Sequence, residues 1–302
     1  MVDVRLLGTA GKVPLPHRRL SSCVLRVNGS VILLDCGEGT QVGFRECSIA
    51  EKQVDVICLT HYHADHILGL AGMFYAIANT GRTAPITIIG PAGLNRILTA
   101  MRVFAPELPF DIKAITLSED TETIDFGEYS ITAFKVDHGI PCYGYTLNVA
   151  RRAKFNVERA KAEDIPQEYW TQLTEGVTCF HDGRIFTPDM VLDGPRKGIK
   201  VTYCTDSRPC NSIVAAAESA DLLILEGMYC DPAQLPKARE TGHMLFSEAA
   251  KIAAKANARE LWLTHYCQTI VRPANHVESI KSIFSNVRAG YDGLGVQLVY
   301  DN

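Results

Sequence analysis

Four side chains able to hold a metal ion stand within six residues in LTHYHADHILGL (59–70): His61, His63, Asp65 and His66. Imidazole and carboxylate together suit zinc or a similar first-row ion, whereas calcium takes oxygen ligands throughout. A helix brings positions i and i+4 to one face, and this set is too dense to serve one metal from one face. A loop that turns His61 and His63 one way, and Asp65 and His66 the other, accommodates it and implies two metals. The plain alternative is a histidine-rich surface turn. It does not explain why a buried strand should lead straight into the cluster.

Two ions need further donors, and the chain places candidates after other apolar runs. His138 follows in KVDHG, Asp206 in TYCTDS and His265 in LWLTHY. The ends of buried strands are where functional side chains commonly emerge. Taken singly, a histidine there is more often an ordinary edge residue. Together with the cluster at 61–66, the three complete a ligand set.

The elements that must position these side chains read as an interleaved α/β chain. Short apolar runs at 54–60, 86–90, 200–206, 221–227 and 260–265 predict buried strands, and 94–104, 212–220 and 246–256 predict helices. Asn28-Gly29 between SCVLRV and SVILLDC signals a β-hairpin. Helices covering the outer faces of the strands are the expected arrangement. The stretch 151–197 breaks the rhythm: it opens with Arg151, Arg152, Lys154, Arg159 and Lys161, then turns polar, and it predicts an insertion projecting from the core. A mixed charge run of this kind is commonly a solvated helix face. Five cations there could equally give a salt-dependent grip on a nucleic-acid backbone.

Composition limits the possibilities. With 302 residues the chain can bury a substantial core, as one large domain or two small ones. No run of 18 apolar residues predicts a membrane span, and MVDVRLLGTA lacks the pattern of a signal peptide, so a cytoplasmic protein is expected. Ten cysteines without a CxxC pair predict reduced core thiols. A net charge of −4 excludes a chain that coats nucleic acid by its overall field, so any such contact must be local.

The ligand pattern resembles the metallo-β-lactamase superfamily over essentially the whole chain. Within it, LLGTAGKVP (6–14), LLDCGEGTQ (33–41), DHGIPCYGY (137–145) and VTYCTDSRPC (201–210) are similar to the ribonuclease Z family. The resemblance implies an α/β metallo-β-lactamase fold, a four-layer αβ/βα sandwich, formed by one domain over 1–302 with an exosite-like arm at 151–197. It implies two zinc ions per subunit, with manganese or iron accepted by similar ligands. His61, His63 and His138 would hold one, Asp65, His66 and His265 the other, and Asp206 would bridge. It implies a phosphodiesterase that removes the 3′ trailer of precursor tRNA, with Asp65 and His243 catalytic. Arg18 and Arg19 in PHRRLSS align with a loop that borders the family's active site, and a homodimer is expected. The arm shows IPQEYWTQLTEG (165–176) where the family is rich in Gly-Pro, and Met244-Leu245 stand where it has Ser-Thr. The rival readings are a small-molecule phosphodiesterase of the same fold, acting for example on a cyclic nucleotide, and a non-catalytic metal- or RNA-binding relative.

Overall fold

The computed structural model describes residues 1–301. Asn28 and Gly29 take φ values of 50° and 88° and turn the chain between β2 (Ser22–Val27) and β3 (Ser30–Leu34). Positive φ at both turn residues matches the twist of the flanking strands, which is why this pair forms the hairpin. With β1 (Val2–Gly8) the hairpin makes an antiparallel start. The chain then changes habit. β4 (Val54–Cys58), β5 (Ile86–Gly90) and β6 (Ile112–Thr116) add in parallel.

Parallel neighbours require crossovers. Here these contain α1 (Thr40–Glu46), α2 (Ala64–Ile67), α3 (Leu70–Ala78) and α4 (Leu94–Arg102). Phe44, Met73, Phe74 and Leu98 from the helices close over Leu33, Ile57 and Ile88 from the strands. Strands covered on both faces read as unbroken apolar runs rather than alternating ones.

The second sheet repeats the plan. β7 (Thr121–Asp125), β8 (Ser130–Lys135) and β9 (Tyr143–Arg151) are antiparallel. Between Val149 and Gly198, joined by the chain end from Tyr300, lies a separate compact unit. It contains α5 (Val157–Ala162), α6 (Trp170–Thr174), the hairpin β10 (Cys179–His181) and β11 (Arg184–Phe186), and α7 (Pro188–Val191). Ala160, Ile165, Leu173, Cys179, Phe186 and Val191 form its own small core. Asn156 caps α5 by accepting from the Arg159 amide, and the Trp170 indole donates to the Ile165 carbonyl.

After this unit, β12 (Arg196–Cys204), β13 (Leu222–Glu226), β14 (Leu261–Thr264) and β15 (Val287–Ala289) are parallel. The helices α8 (Asn211–Ala216), α9 (Leu235–Glu240), α10 (Phe246–Lys255) and α11 (Ala274–Val277) accompany them. The buried face of α10 is Phe246, Ala249, Ala250, Ile252 and Ala253, and its small side chains let it lie close on β13 and β14. Last, β16 (Gly295–Leu298) returns to pair with β1.

Two seven-stranded sheets result, ordered β16-β1-β2-β3-β4-β5-β6 and β15-β14-β13-β12-β9-β8-β7. Helices cover the outer faces, giving the four-layer αβ/βα sandwich. The sheets are tied to each other at one edge. The Tyr143 amide donates to the Thr60 carbonyl at 3.0 Å, and the Tyr145 hydroxyl to the Leu59 carbonyl at 2.7 Å. Among the described residues no helix is long and apolar enough to cross a membrane, and all ten cysteines are free.

Candidate metal centre

The parallel strands β4, β12, β13 and β14 all stop at the tied edge, and each hands a polar side chain to it. After β4 the chain runs extended through His61 and His63, then makes the single turn α2 that carries Asp65 and His66. The cluster is thus part loop and part helical turn, with its two halves facing different ways. Asp206, after β12, and His265, after β14, have φ of 53° and 54°. That left-handed conformation is uncommon for a residue with a side chain and needs a surrounding framework to hold it. His265 is held by its neighbours: Gly227 donates to the Thr264 carbonyl and Tyr266 to the Thr9 carbonyl.

The donor atoms converge closely. His63 Nδ1 lies 2.9 Å from His61 Nε2 and 3.2 Å from His138 Nε2. His66 and His265 bring their Nε2 atoms to 3.2 Å, and Asp65 Oδ2 is 3.3 Å from His265 Nε2. Asp206 faces both groups. Its Oδ1 is 3.1 Å from the Nε2 of His66 and of His265, while Oδ2 is 3.7 Å from His61 and 3.5 Å from His138.

This donor set fits two divalent ions. The His138 Nδ1 donates to the Gly242 carbonyl at 3.0 Å, and the His66 Nδ1 to the Asp35 carboxylate at 2.8 Å. When these rings are neutral, those acceptors leave Nε2 of each as a lone pair, and lone pairs gathered at about 3 Å repel unless a proton or a metal cation lies between them. Donors around a tetrahedral zinc with bonds of about 2.0–2.1 Å stand about 3.3 Å apart, which is the spacing seen here. Asp206 Oδ1 is buried and accepts no hydrogen bond from the protein, as expected of an oxygen reserved for a metal. His63 presents Nδ1 where His61, His66, His138 and His265 present Nε2.

Burial and the neighbouring His66 push the His61 pKa down to about 2, so the ring is neutral and able to ligate. Burial works against charge on His66 too, but the Asp206 and Asp35 carboxylates override it and hold its pKa well above the ordinary value. A cation in the site would take over that electrostatic role.

Two carboxylates absent from the sequence-based site organise it from behind. Asp35, fully buried with φ of 56°, accepts from the Thr60 amide at 2.8 Å, the Thr60 hydroxyl, His66 Nδ1 and the Tyr203 hydroxyl at 3.1 Å. Glu226, at the end of β13, accepts from the Ser207 amide at 2.6 Å, the Met244 amide at 3.2 Å and His243 Nδ1 at 3.1 Å. It therefore fixes the residue next to Asp206 and the loop before α10 together. Arg208 completes the brace, gripping Glu248 through two contacts of 2.9 and 2.5 Å and donating to the His243 carbonyl. Burial disfavours a charged His243, yet the Glu226 carboxylate outweighs it and the pKa is raised. Glu226 carried a readable signal, a lone carboxylate ending the apolar run DLLILEG. Asp35 sat in LLDCGEGTQ, which reads as a turn.

The expected RNA-contacting residues are placed unevenly. Arg18 donates to the Ile270 and Val271 carbonyls and lies over the Tyr266 ring. Arg19 donates to the Leu7 carbonyl and pairs with Glu46 at 2.8 Å. In the separate unit, Arg151 stacks on Tyr300 and donates to the Asp301 carbonyl, Arg159 donates to Leu192 and Asp189 carbonyls, and Lys161 pairs with Glu158. Arg152 and Lys154 are exposed and have no such partner among the described residues.

The chain as a whole is similar to known proteins. The model of the metallo-beta-lactamase superfamily matches residues 18–218. A ribonuclease Z of Agathobacter rectalis is 50% identical, covering 100% of this chain and 99% of that protein. One from Lachnoclostridium phytofermentans is 48% identical with the same coverage. Among solved structures, the short form of human tRNase Z is 26% identical with a TM-score of 0.70, covering 98% of each chain.

Proposed function

The chain belongs to the ribonuclease Z family within the metallo-β-lactamase superfamily, and from that premise we propose that it is a metal-dependent endonuclease that removes the 3′ trailer of precursor tRNA. The observation that carries the reading is the joint placement of seven ligands and a carboxylate-backed histidine at one sheet edge. A metal-storing or RNA-binding module has no use for His243 and Glu226 in that position.

Two zinc ions are the proposed cofactors, with manganese or iron as substitutes. When bound they supply Lewis acidity and a water made acidic enough to attack a phosphodiester. His61, His63 and His138 would hold one, Asp65, His66 and His265 the other, with Asp206 shared.

The protein groups divide the remaining work. Asp65 Oδ2 is engaged by the Lys12 amide at 2.6 Å, which leaves Oδ1 to orient the attacking water and take its proton. His243 has Nδ1 committed to Glu226, so Nε2 is the atom that faces a substrate. The Glu226 carboxylate favours its protonated form, the form that donates to the departing 3′ oxygen as the phosphorus–oxygen bond breaks. Met244 and Leu245 provide no hydroxyls beside it, so that task falls to the ring.

The unit from Val149 to Gly198 is the proposed tRNA-gripping arm of a single metallo-β-lactamase domain, with Arg152 and Lys154 as its free cations. A cytoplasmic homodimer is proposed as well. Val42, Leu68 and Tyr75 are exposed on the α1–α3 side and offer an apolar surface for a second copy.

The test is a labelled precursor tRNA beside a small chromogenic phosphodiester, each at low and high salt, with the His63→Ala variant in parallel. Cleavage at one site in the tRNA, absent in the variant and weakened by salt, is the expected result. Turnover of the small diester alone would move the substrate to one that needs no arm, the reading favoured by the missing Gly-Pro segment.

A further inference from the structure

Lys12 has a backbone conformation that a side chain normally avoids. Its φ is 70°, and Val13 donates to the Gly11 carbonyl across it at 2.9 Å, which makes Lys12 the centre of a γ-turn of the rare positive-φ kind. Such strain persists only where the surroundings impose it. Here they do. Gly11 donates to the Tyr266 carbonyl, and a Cβ on Gly11 would lie 2.7 Å from Cε1 of the ligand His265. The loop is therefore pressed against the site, and Lys12 is the first position after the squeeze that has room for a side chain.

The turn also aims the Lys12 amide at Asp65 Oδ2, 2.6 Å away. Glycine would make that backbone contact with less strain, so the contact does not account for a lysine. The side chain itself is exposed, and among the described residues no carboxylate pairs with its ammonium. An exposed cation that no carboxylate pairs among the described residues, with its backbone anchored on Asp65, has one evident use.

We propose that the Lys12 ammonium is a substrate-contacting catalytic residue that binds a non-bridging oxygen of the scissile phosphodiester and complements the charge gathered there during cleavage. The inference rests on the phosphodiesterase reading but not on tRNA as the substrate. A diester carries one negative charge, and attack by water gathers more on the non-bridging oxygens, so an ammonium there holds the transition state more tightly than the ground state. Its backbone anchor on Asp65 sets it on the side that receives the attacking water.

The test uses Lys12→Met, Lys12→Gly and Lys12→Arg in the metal-loaded protein, on both precursor tRNA and the chromogenic diester. All three keep the amide that holds Asp65, and Lys12→Gly also removes the strain. In the Met and Gly variants kcat should fall on the order of 10²-fold on either substrate. KM for the tRNA should stay near that of the parent, metal content by elemental analysis should be unchanged, and Lys12→Arg should recover most of the activity. Added methylamine should partly restore Lys12→Gly. Unchanged kcat in the Met and Gly variants would overturn the proposal. So would a loss of kcat that merely tracks lost metal, since that assigns the position to holding Asp65. If the parent cleaves only the small diester, the tRNA reading fails while the Lys12 comparison still decides this one.

Discussion

Asp35 and His66 meet with 2.8 Å between Oδ2 and Nδ1, and neither side chain is reached by solvent. The pair fixes which nitrogen of His66 carries the proton and so which is left for a metal. An Asp35→Asn variant would present an amide donor to Nδ1 and favour the wrong tautomer. Affinity for zinc, measured by chelator competition, should fall about 10–100-fold. Unaltered affinity would show that Asp35 serves the Thr60 turn and Tyr203 rather than the metal.

Removing the metals should be felt in stability as well as activity. Without cations the clustered lone pairs crowd one another beside the Asp65 and Asp206 carboxylates. At free zinc of 100 times Kd, binding adds about 2.7 kcal/mol to the folded state. Dialysis against a chelator should lower Tm by several degrees and abolish cleavage, with both restored by zinc or manganese. A Tm indifferent to the chelator would argue that the site is not filled under those conditions.

Much of this arrangement was legible in the chain because side chains able to ligate a metal are chemically conspicuous. His61, His63, Asp65 and His66 crowd one segment, and His138, Asp206 and His265 each end an apolar run. The strands themselves were legible because burial on both faces leaves unbroken apolar stretches. What escaped was the support. Asp35 and Glu226 act through backbone amides and through rings that lie far off in sequence, as with Glu226 and His243. Nothing in their own neighbourhoods announces those partners. The basic residues were visible too, but not their bonding. Whether an arginine is free or tied to a carbonyl, as Arg18 and Arg159 are, depends on loops whose course spacing does not reveal.

That difference in bonding separates two kinds of variant in the arm. Arg152→Ala with Lys154→Ala removes exposed cations. It should weaken precursor tRNA binding and reduce the slope of log K against log salt by about 1.8 if both contact phosphates. Arg159→Ala instead releases the Leu192 and Asp189 carbonyls. It should make the 149–198 unit more sensitive to limited proteolysis, with a smaller change in salt slope. An equal slope change in both variants would mean that Arg159 also reaches RNA.

The core thiols give a prediction that depends on pH. Burial raises Cys58, Cys142 and Cys204 well above the ordinary thiol value and pushes Cys36 up to about 12. The thiolate is the form that reacts, so iodoacetamide at pH 8 should leave these four unmodified until the protein is unfolded. The sign for stability follows. Folded pKa values above the unfolded ones mean that the chain is destabilised as pH rises from about 9 towards 12. Rapid alkylation of the folded protein, followed by peptide mapping to these positions, would contradict the buried assignment.

The first and last of the proposed ligands are separated along the chain by most of its length, and His66 meets His265 across 199 residues. Synthesis proceeds from the amino terminus and domains fold as units, so a nascent chain holds most of the donor atoms long before it holds the last. Until translation has passed residue 265, the growing polypeptide lacks a member of its second metal group. Completion of the site is thereby set by the order in which its donor residues are made.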